Sequence, residues 1–440
     1  MILPSIDLMD GKAVQLQQGK TKILEREDVM ALAEEFSRYG DLAVIDLDAA
    51  RSINGDGSER KDSNRELVKT LCRRYPCRVG GGIRTRADAQ ELLAAGARKL
   101  IIGTAAEPGL LCTLPRERII VALDALQGKV TSNGWQRIIE ESVSARAQRL
   151  EQYCSGFLYT CIEREGMLQG PDLQTARMLA RQTINRITVA GGISMVVDVR
   201  AIADADMDCQ LGMAIYTGAL SLADAFISAL RFPQAKDEPS ATNAQSRTPL
   251  SVTTAAPPAD ESSSGLLPTI VWDGTQPLML GYSSKDSLRA SFRSGLATFY
   301  SRSRKELWEK GKTSGNTLRL RRVDFDCDRD ALLFTVDPQG PTCHTGGWSC
   351  FDERAFSIAQ LEEVIKERIA SAPPGSRTAA WSMQDLQDKI REEADEVACF
   401  TNRENLIWEA ADVTYFLTVL LARQGVGWNE VLNELARRRR

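Results

Sequence analysis

Several things are scarce in this chain. It has one histidine in 440 residues, and that residue, His344, falls inside a single motif. The net charge is only −4, which argues against a general nucleic-acid binder. No apolar run is long enough to cross a bilayer, so no membrane partner is expected. No signal or transit segment is visible, because the chain opens directly on the strand-like MILPSIDL. The ten cysteines lack the spacing of a small disulfide scaffold, which points to a reducing, cytoplasmic setting. The remaining composition, 43% hydrophobic and 26% charged, is that of a soluble globular protein, and the length implies several domains.

Residues 1–232 alternate short apolar runs with helical patterns. Eight runs read as strands: ILPSIDL, LAVIDLD, CRVGGGI, KLIIGTA, RIIVALD, GFLYTCI, RITVAGGI and CQLGMAI. Stretches such as AQELLAAGA lie between them. Eight β/α units predict a (β/α)8 barrel; an open doubly wound sheet is the alternative, because periodicity does not report closure. The region also looks doubled. IDLMDGK near the start returns as LDALQGK around Asp124, VGGGIR as VAGGIS, and IIGTA as QLGMA, each about half a domain later. A duplicated half-barrel places one aspartate and one glycine-rich phosphate cradle on each side of the mouth. Two cradles predict a substrate with two phosphates, and two opposed carboxylates predict acid and base catalysis.

These motifs resemble the isomerase that acts on phosphoribosylformimino-AICAR phosphate. The resemblance implies that Asp7 is the general base and Asp124 the general acid of an Amadori rearrangement that needs no metal. It assigns Thr160 to the site and Gly81, Gly82, Gly103, Thr104, Gly191, Gly192 and Gly212 to the phosphate loops. The segment GKVTSNGWQ, with Trp135, matches a substrate loop. The chain departs from the family pattern at Glu165, where an aspartate is usual, at Gln15, where an arginine is common, and in the loop after Asp48. These departures keep open a barrel retained as an inactive scaffold.

Residues 233–265 are rich in Pro, Ser, Thr and Ala and nearly free of aromatic residues, and predict a flexible tether. Beyond them, Asp324–Phe351 holds Cys327, Cys343, Cys350 and His344 together with the acidic alternation Asp324, Asp326, Asp328, Asp330. On an extended strand, that alternation would put the carboxylates on one face and Cys327 on the other. The bland alternative is a set of core cysteines beside a solvated acidic face. Thiolates beside carboxylates suit zinc on sulfur and magnesium on oxygen, and three thiolates leave a fourth zinc position open for water.

DCDRDALL followed by GPTCHTGGWSCF resembles phosphoribosyl-AMP cyclohydrolase of histidine biosynthesis, a likeness covering about residues 266–352. It implies an α+β domain over 266–354. It also implies zinc on Cys327, Cys343 and Cys350, and magnesium on Asp326, Asp328 and Asp330. Phosphoribosyl substrate would bind along Phe299–Asn316, through Arg302, Ser303, Arg304, Trp308, Lys310, Thr313, Ser314 and Asn316. The zinc of that family is shared across a homodimer, so a homodimer through this domain is implied. His344, beside a zinc ligand, would orient water or act as acid or base.

Residues 355–440 read as helices throughout, an all-α domain. Glu392, Glu393 and Glu396 share one helix face, and Glu409 and Asp412 share the next. Carboxylates in so apolar a helix are costly unless paired, which points to magnesium between two faces. The pattern resembles phosphoribosyl-ATP pyrophosphohydrolase, and the resemblance assigns all five to the metal. Here too there are departures: Arg377 interrupts the usual GSYT motif, and Phe416 stands where a histidine is usual. The three resemblances name consecutive reactions of one pathway, with a bifunctional chain on an inactive barrel as the alternative.

Overall fold

The computed structural model describes residues 1–51, 64–132, 135, 137–233, 265–351, 356–372 and 376–438. The tether expected over 233–265 falls almost wholly outside the described residues, as does most of the loop after Asp48. The chain forms two compact units, one containing the first two domains and the other the helices of Arg354–Arg440.

All eight runs form the strands of a closed parallel barrel. They are β1 (Ile2–Met9), β2 (Leu42–Asp46), β3 (Cys77–Gly80), β4 (Lys99–Ile102), β5 (Ile119–Leu126), β6 (Gly156–Cys161), β7 (Arg186–Ala190) and β8 (Asp208–Leu211). Each pairs with the next, and β8 returns to β1 with Ile2 opposite Cys209, which excludes the open sheet. The doubling has a structural counterpart. A hairpin, Lys12–Gln17 with Thr21–Arg26, follows β1, and another, Lys129–Ser132 with Arg137–Ser142, follows β5, the strand opposite in the ring. The barrel interior is plugged below its mouth by Ile101, Ile120, Ala122, Leu158 and Ala190. This leaves polar side chains free to gather at the carboxyl ends of the strands.

The middle domain is a four-stranded sheet in the order Pro277–Ser283, Leu267–Trp272, Leu332–Pro338, Leu318–Phe325. One helix, Lys285–Ser294, packs beside it and is started by Ser284, whose hydroxyl accepts from the Ser287 N–H. A small hairpin, Thr298–Ser301 with Glu306–Glu309, carries the expected substrate segment.

The second unit is helical: Ile358–Ser371, Met383–Ala398, Arg403–Arg423 and Trp428–Arg438, with the short turn Arg377–Ala380. Its core is small. Ile365, Leu386 and Val419 are fully enclosed, with Ile390, Tyr415, Phe416 and Leu420 packed around them. Phe416 lies against Trp381, 5.2 Å between ring centres, so the position expected to carry a histidine serves packing. Arg403–Arg423 is the most apolar helix of this unit and passes a test of length and composition for crossing a membrane, as the core helix of a helical bundle also does; Glu404, Glu409 and Asp412 interrupt it.

Candidate active sites

Asp7 on β1 and Asp124 on β5 stand on opposite strands of the ring and line one cavity of about 210 Å³ at the barrel mouth. The glycine loops surround them at the ends of β3, β4, β7 and β8, so cradles also oppose one another. Two of these glycines are dictated by close approach. A Cβ on Gly81 would stand 2.1 Å from the Asp46 carbonyl oxygen, and one on Gly192 would stand 2.4 Å from that of Gly170. Both have positive φ, which only glycine adopts cheaply.

The mouth changes the acidity of its carboxyls. Burial pushes Asp7 up to about 6, against the hydrogen bond donated by Ser5 Oγ at 2.8 Å. Burial also raises Asp124, while hydrogen bonds from Trp135 and Thr160 pull the other way. Thr160 and Trp135 thus belong to one constellation with Asp124. Glu165 lines the same cavity. Burial, then the charges of Asp7 and Asp124, lift Glu165 to about 8. Sequence reasoning marked Glu165 only as a departure; the signal that could have placed it in the site was its position just after β6, opposite the β1–β2 side. Gln15 is buried beside Gly212, whose Cβ would lie 2.9 Å from its Oε1, and its Nε2 has no hydrogen-bond partner among the described residues.

In the middle domain the expected strand ends at Phe325, and Asp326–Asp330 form a turn. The alternation argument therefore gives the right neighbours for the wrong reason. Asp326 accepts from the N–H groups of Asp330 (3.0 Å) and Ala331 (3.1 Å), which curls the segment. Curling brings Asp326, Asp328 and Asp330, all exposed, to within 4.8 Å of one another. The charge of Asp328 is the main reason Asp330 is raised. The expected three-thiolate cluster is divided. Cys343 and Cys350 are hydrogen-bonding neighbours, whereas among the described residues no three-ligand group includes Cys327. Thr345 Oγ1 donates to Cys343 Sγ at 3.0 Å and is the first cause of that thiol's lowered pKa. His344 is exposed, its Nδ1 3.8 Å from Cys343 Sγ.

The segment expected to bind substrate is basic and aromatic together. Arg302 lies 3.7 Å over the Tyr282 ring, while Arg304 and Lys310 lie 5.9 and 5.7 Å from the Trp308 ring. Lys310 is buried, and Ser303, Arg304, Thr313 and Ser314 are exposed. Asn316 packs against Gly340.

In the helical unit, Glu393, Glu396 and Glu409 offer oxygens within 4.8 Å of one another across two helices. Glu409 hydrogen-bonds Glu396 and raises it, and burial followed by the charges of Glu393 and Glu409 raises Asp412. Glu392 is not part of this group. It is exposed and pairs with Lys389 at 3.0 Å. Lys389 also reaches the buried Glu393 at 2.8 Å, so a cation already leans on one side of the cluster.

Three families match the chain in order. The one described as histidine biosynthesis protein matches residues 1–221. Phosphoribosyl-AMP cyclohydrolase matches residues 279–352, and phosphoribosyl-ATP pyrophosphohydrolase matches residues 358–439. Similar proteins include the histidine biosynthesis bifunctional protein HisIE of Vibrio cholerae, 42% identical over 188 residues, which span 40% of this chain and 90% of the relative. The protein of the same name from Bacillus subtilis is 42% identical over 200 residues, 41% of this chain and 96% of the relative. That from Pyrococcus furiosus is 40% identical over 197 residues, 41% and 94% respectively.

Proposed function

We propose that this chain, which belongs to the histidine biosynthesis protein family, carries phosphoribosyl-ATP through three consecutive reactions. Its family matches make it a multifunctional enzyme with cyclohydrolase and pyrophosphohydrolase domains. The helical unit would release pyrophosphate, the middle domain would add water across N1–C6 of the adenine ring, and the barrel would isomerise the opened product.

The observation that carries the third step is the pair of buried, opposed carboxylates between two glycine cradles. Asp124, whose carboxyl burial raises, would give the proton to the ring oxygen of the aminoaldose. Asp7, at about 6, is mostly ionised at neutral pH and takes the proton from C2. Glu165, at about 8, is mostly neutral there and adds no full third charge to the mouth. The opposed glycine loops would hold the two phosphates and fix the reacting carbons between the aspartates.

The donor sets fit two metals. Cys343, whose thiol is made more acidic by Thr345, and Cys350 would hold zinc from one subunit, with Cys327 supplied by a second copy of the chain. Zinc when bound supplies Lewis-acid activation of water. Arg302, Arg304 and Lys310 would hold the phosphoribosyl group, and His344 would orient the incoming water. Asp326, Asp328 and Asp330, and separately Glu393, Glu396 and Glu409, present the crowded oxygens that suit magnesium, and Asp412 feels the charges of the second group. A reducing cytoplasm is the compartment we infer, since all ten cysteines are free.

A second reading keeps the two hydrolytic steps and treats the barrel as a scaffold. Glu165 in the mouth and the unpartnered amide of Gln15 favour it. One experiment separates the two: supply phosphoribosyl-ATP, magnesium and zinc to the purified protein and identify the final product by chromatography. Accumulation of the isomerised ribulosyl compound supports the trifunctional enzyme. Arrest at the ring-opened, unisomerised compound overturns the isomerase step.

A further inference from the structure

The acidic turn of the middle domain is built against the barrel rather than standing free. Its central residue, Arg329, lies between Asp328 and Asp330 with φ at +70°, a conformation a non-glycine residue holds only when its surroundings fix it. The surroundings belong to the barrel. Arg329 Nη1 donates to the Ala229 carbonyl at 3.2 Å, and its Nη2 lies 3.4 Å from Asp204. The Arg329 carbonyl in turn accepts from the Arg231 N–H at 2.8 Å. Ala229 ends the barrel helix Leu222–Ala229, where the last carbonyls lack partners within the helix and carry partial negative charge. A buried guanidinium is well suited to cap them.

The same contact continues on either side. Phe325, the residue entering the turn, packs on Phe226 of that barrel helix with ring centres 5.6 Å apart. Phe226 meets Phe292 at 5.3 Å, and Tyr39 stacks on Phe292 at 4.1 Å. Arg322 reaches the buried Asp41 of the barrel at 2.9 Å, and the Val323 N–H donates to the Arg38 carbonyl at 2.8 Å. The strand leading into the turn, and the turn itself, are thus fixed to the amino-terminal end of the barrel, away from the cavity that holds Asp7 and Asp124. A cleft lined by Met1, Arg78, Asp208, Asp326, Cys327 and Arg329 runs along this junction.

We propose that the barrel sets the geometry of the cyclohydrolase turn, with Arg329 as the positioning residue that locks Cys327 and the three aspartates to the barrel's last helix. This rests on the reading of Cys327 as a metal ligand of the cyclohydrolase. On this view the barrel serves ring opening whether or not it isomerises anything. The side chain of Arg329 is taken up by Ala229 and Asp204 of the barrel, so it acts through the conformation of its neighbours.

The test uses the full chain and cobalt in place of zinc. Thiolate-to-cobalt absorption reports only a site containing cysteine, so the carboxylates of the helical unit do not contribute. Arg329→Ala is expected to weaken cobalt binding about 10- to 100-fold, the usual effect of losing a residue that orients a ligand. It should lower cyclohydrolase kcat more than it raises KM, and leave pyrophosphate release unchanged. Arg329→Lys, which keeps a cation near Ala229, should restore part of both. Asp204→Arg, which alters only the exposed barrel side and repels Arg329, should weaken cobalt several-fold. This variant still tests the proposal if Arg329→Ala fails to fold. Wild-type cobalt affinity in a folded Arg329→Ala or in Asp204→Arg overturns the proposal. Cys327→Ser separates its failure from that of the underlying reading: if Cys327→Ser leaves both the intensity of the absorption and the cobalt affinity at the wild-type level, Cys327 is not a metal ligand and both fall.

Discussion

Three carboxylates face one cavity in the barrel mouth, and three meet between helices in the second unit, yet the two groups differ in character. Asp7, Asp124 and Glu165 are raised chiefly because protein has replaced water around them. Glu396 is raised chiefly because Glu409 shares a hydrogen bond with it, in a setting open to solvent. Desolvation makes a carboxyl a proton carrier near neutral pH. Crowding of carboxylates with Lys389 on one side only leaves room for more positive charge, which a divalent cation would provide. Residue type alone does not separate the two groups; what surrounds each carboxyl does.

The most severe way to break the comparison is to remove a proton carrier. Asp124→Asn keeps the shape of the mouth and removes the proposed acid. Isomerisation should fall about 10²- to 10⁴-fold, the usual contribution of a positioned acid or base, while both hydrolytic steps stay within twofold. Stopped assays with each intermediate as substrate would check this, and an unchanged isomerisation rate would remove Asp124 from the chemistry. Glu393→Gln addresses the other side. It should raise the magnesium concentration needed for half-maximal pyrophosphate release by about 10- to 100-fold, with no effect on the barrel step. A loss that added magnesium cannot restore would show that Glu393 acts otherwise than through the cation.

A smaller effect concerns stability, and its sign follows from burial. The folded state holds the Asp7 proton more tightly than the unfolded chain, with about 6 against the ordinary 3.8. Between those values the folded state binds more protons, so stability falls as pH rises through the window. Above about 6 the full cost of an ionised, buried carboxylate is present. Asp7→Asn, with no charge to bury, should therefore melt higher than wild type at pH 8 and lose that advantage below about pH 4. Melting curves at the two pH values would check it, and a gain of equal size at both would point to packing rather than charge.

Much of this was legible in the sequence because it rests on local pattern. The eight strands could be read from apolar runs, and the opposed aspartates from a half-domain repeat that the ring turns into a spatial opposition. What stayed illegible depends on distance across the chain. The acidic alternation at Asp326–Asp330 looks like a strand, but Asp326 folds back to accept from Asp330 and Ala331. Glu392 shares a helix with Glu393 and Glu396 but turns outward to Lys389, one position on a 100° wheel being enough to leave the cluster. The separation of Cys327 from Cys343 and Cys350 follows from where two turns lie on a sheet, which no spacing rule reports.

The finest test of the comparison is Glu165, which differs from the family's usual aspartate by one methylene. That extra carbon brings the carboxyl to the glycine loop after β7, 3.2 Å from where a Cβ on Gly191 would stand. There it is lifted by burial and by the charges of Asp7 and Asp124. If it remains neutral through the working range, Glu165→Gln should change isomerisation less than threefold at pH 7. It should also remove any component of the pH profile near 8, where ionised Glu165 would disfavour ionised Asp7. Glu165→Asp, with its carboxyl withdrawn from Gly191, should raise or lower the rate only a few-fold. A hundredfold loss in Glu165→Gln, measured alongside unchanged cyclohydrolase turnover, would instead make Glu165 a third proton carrier of the mouth.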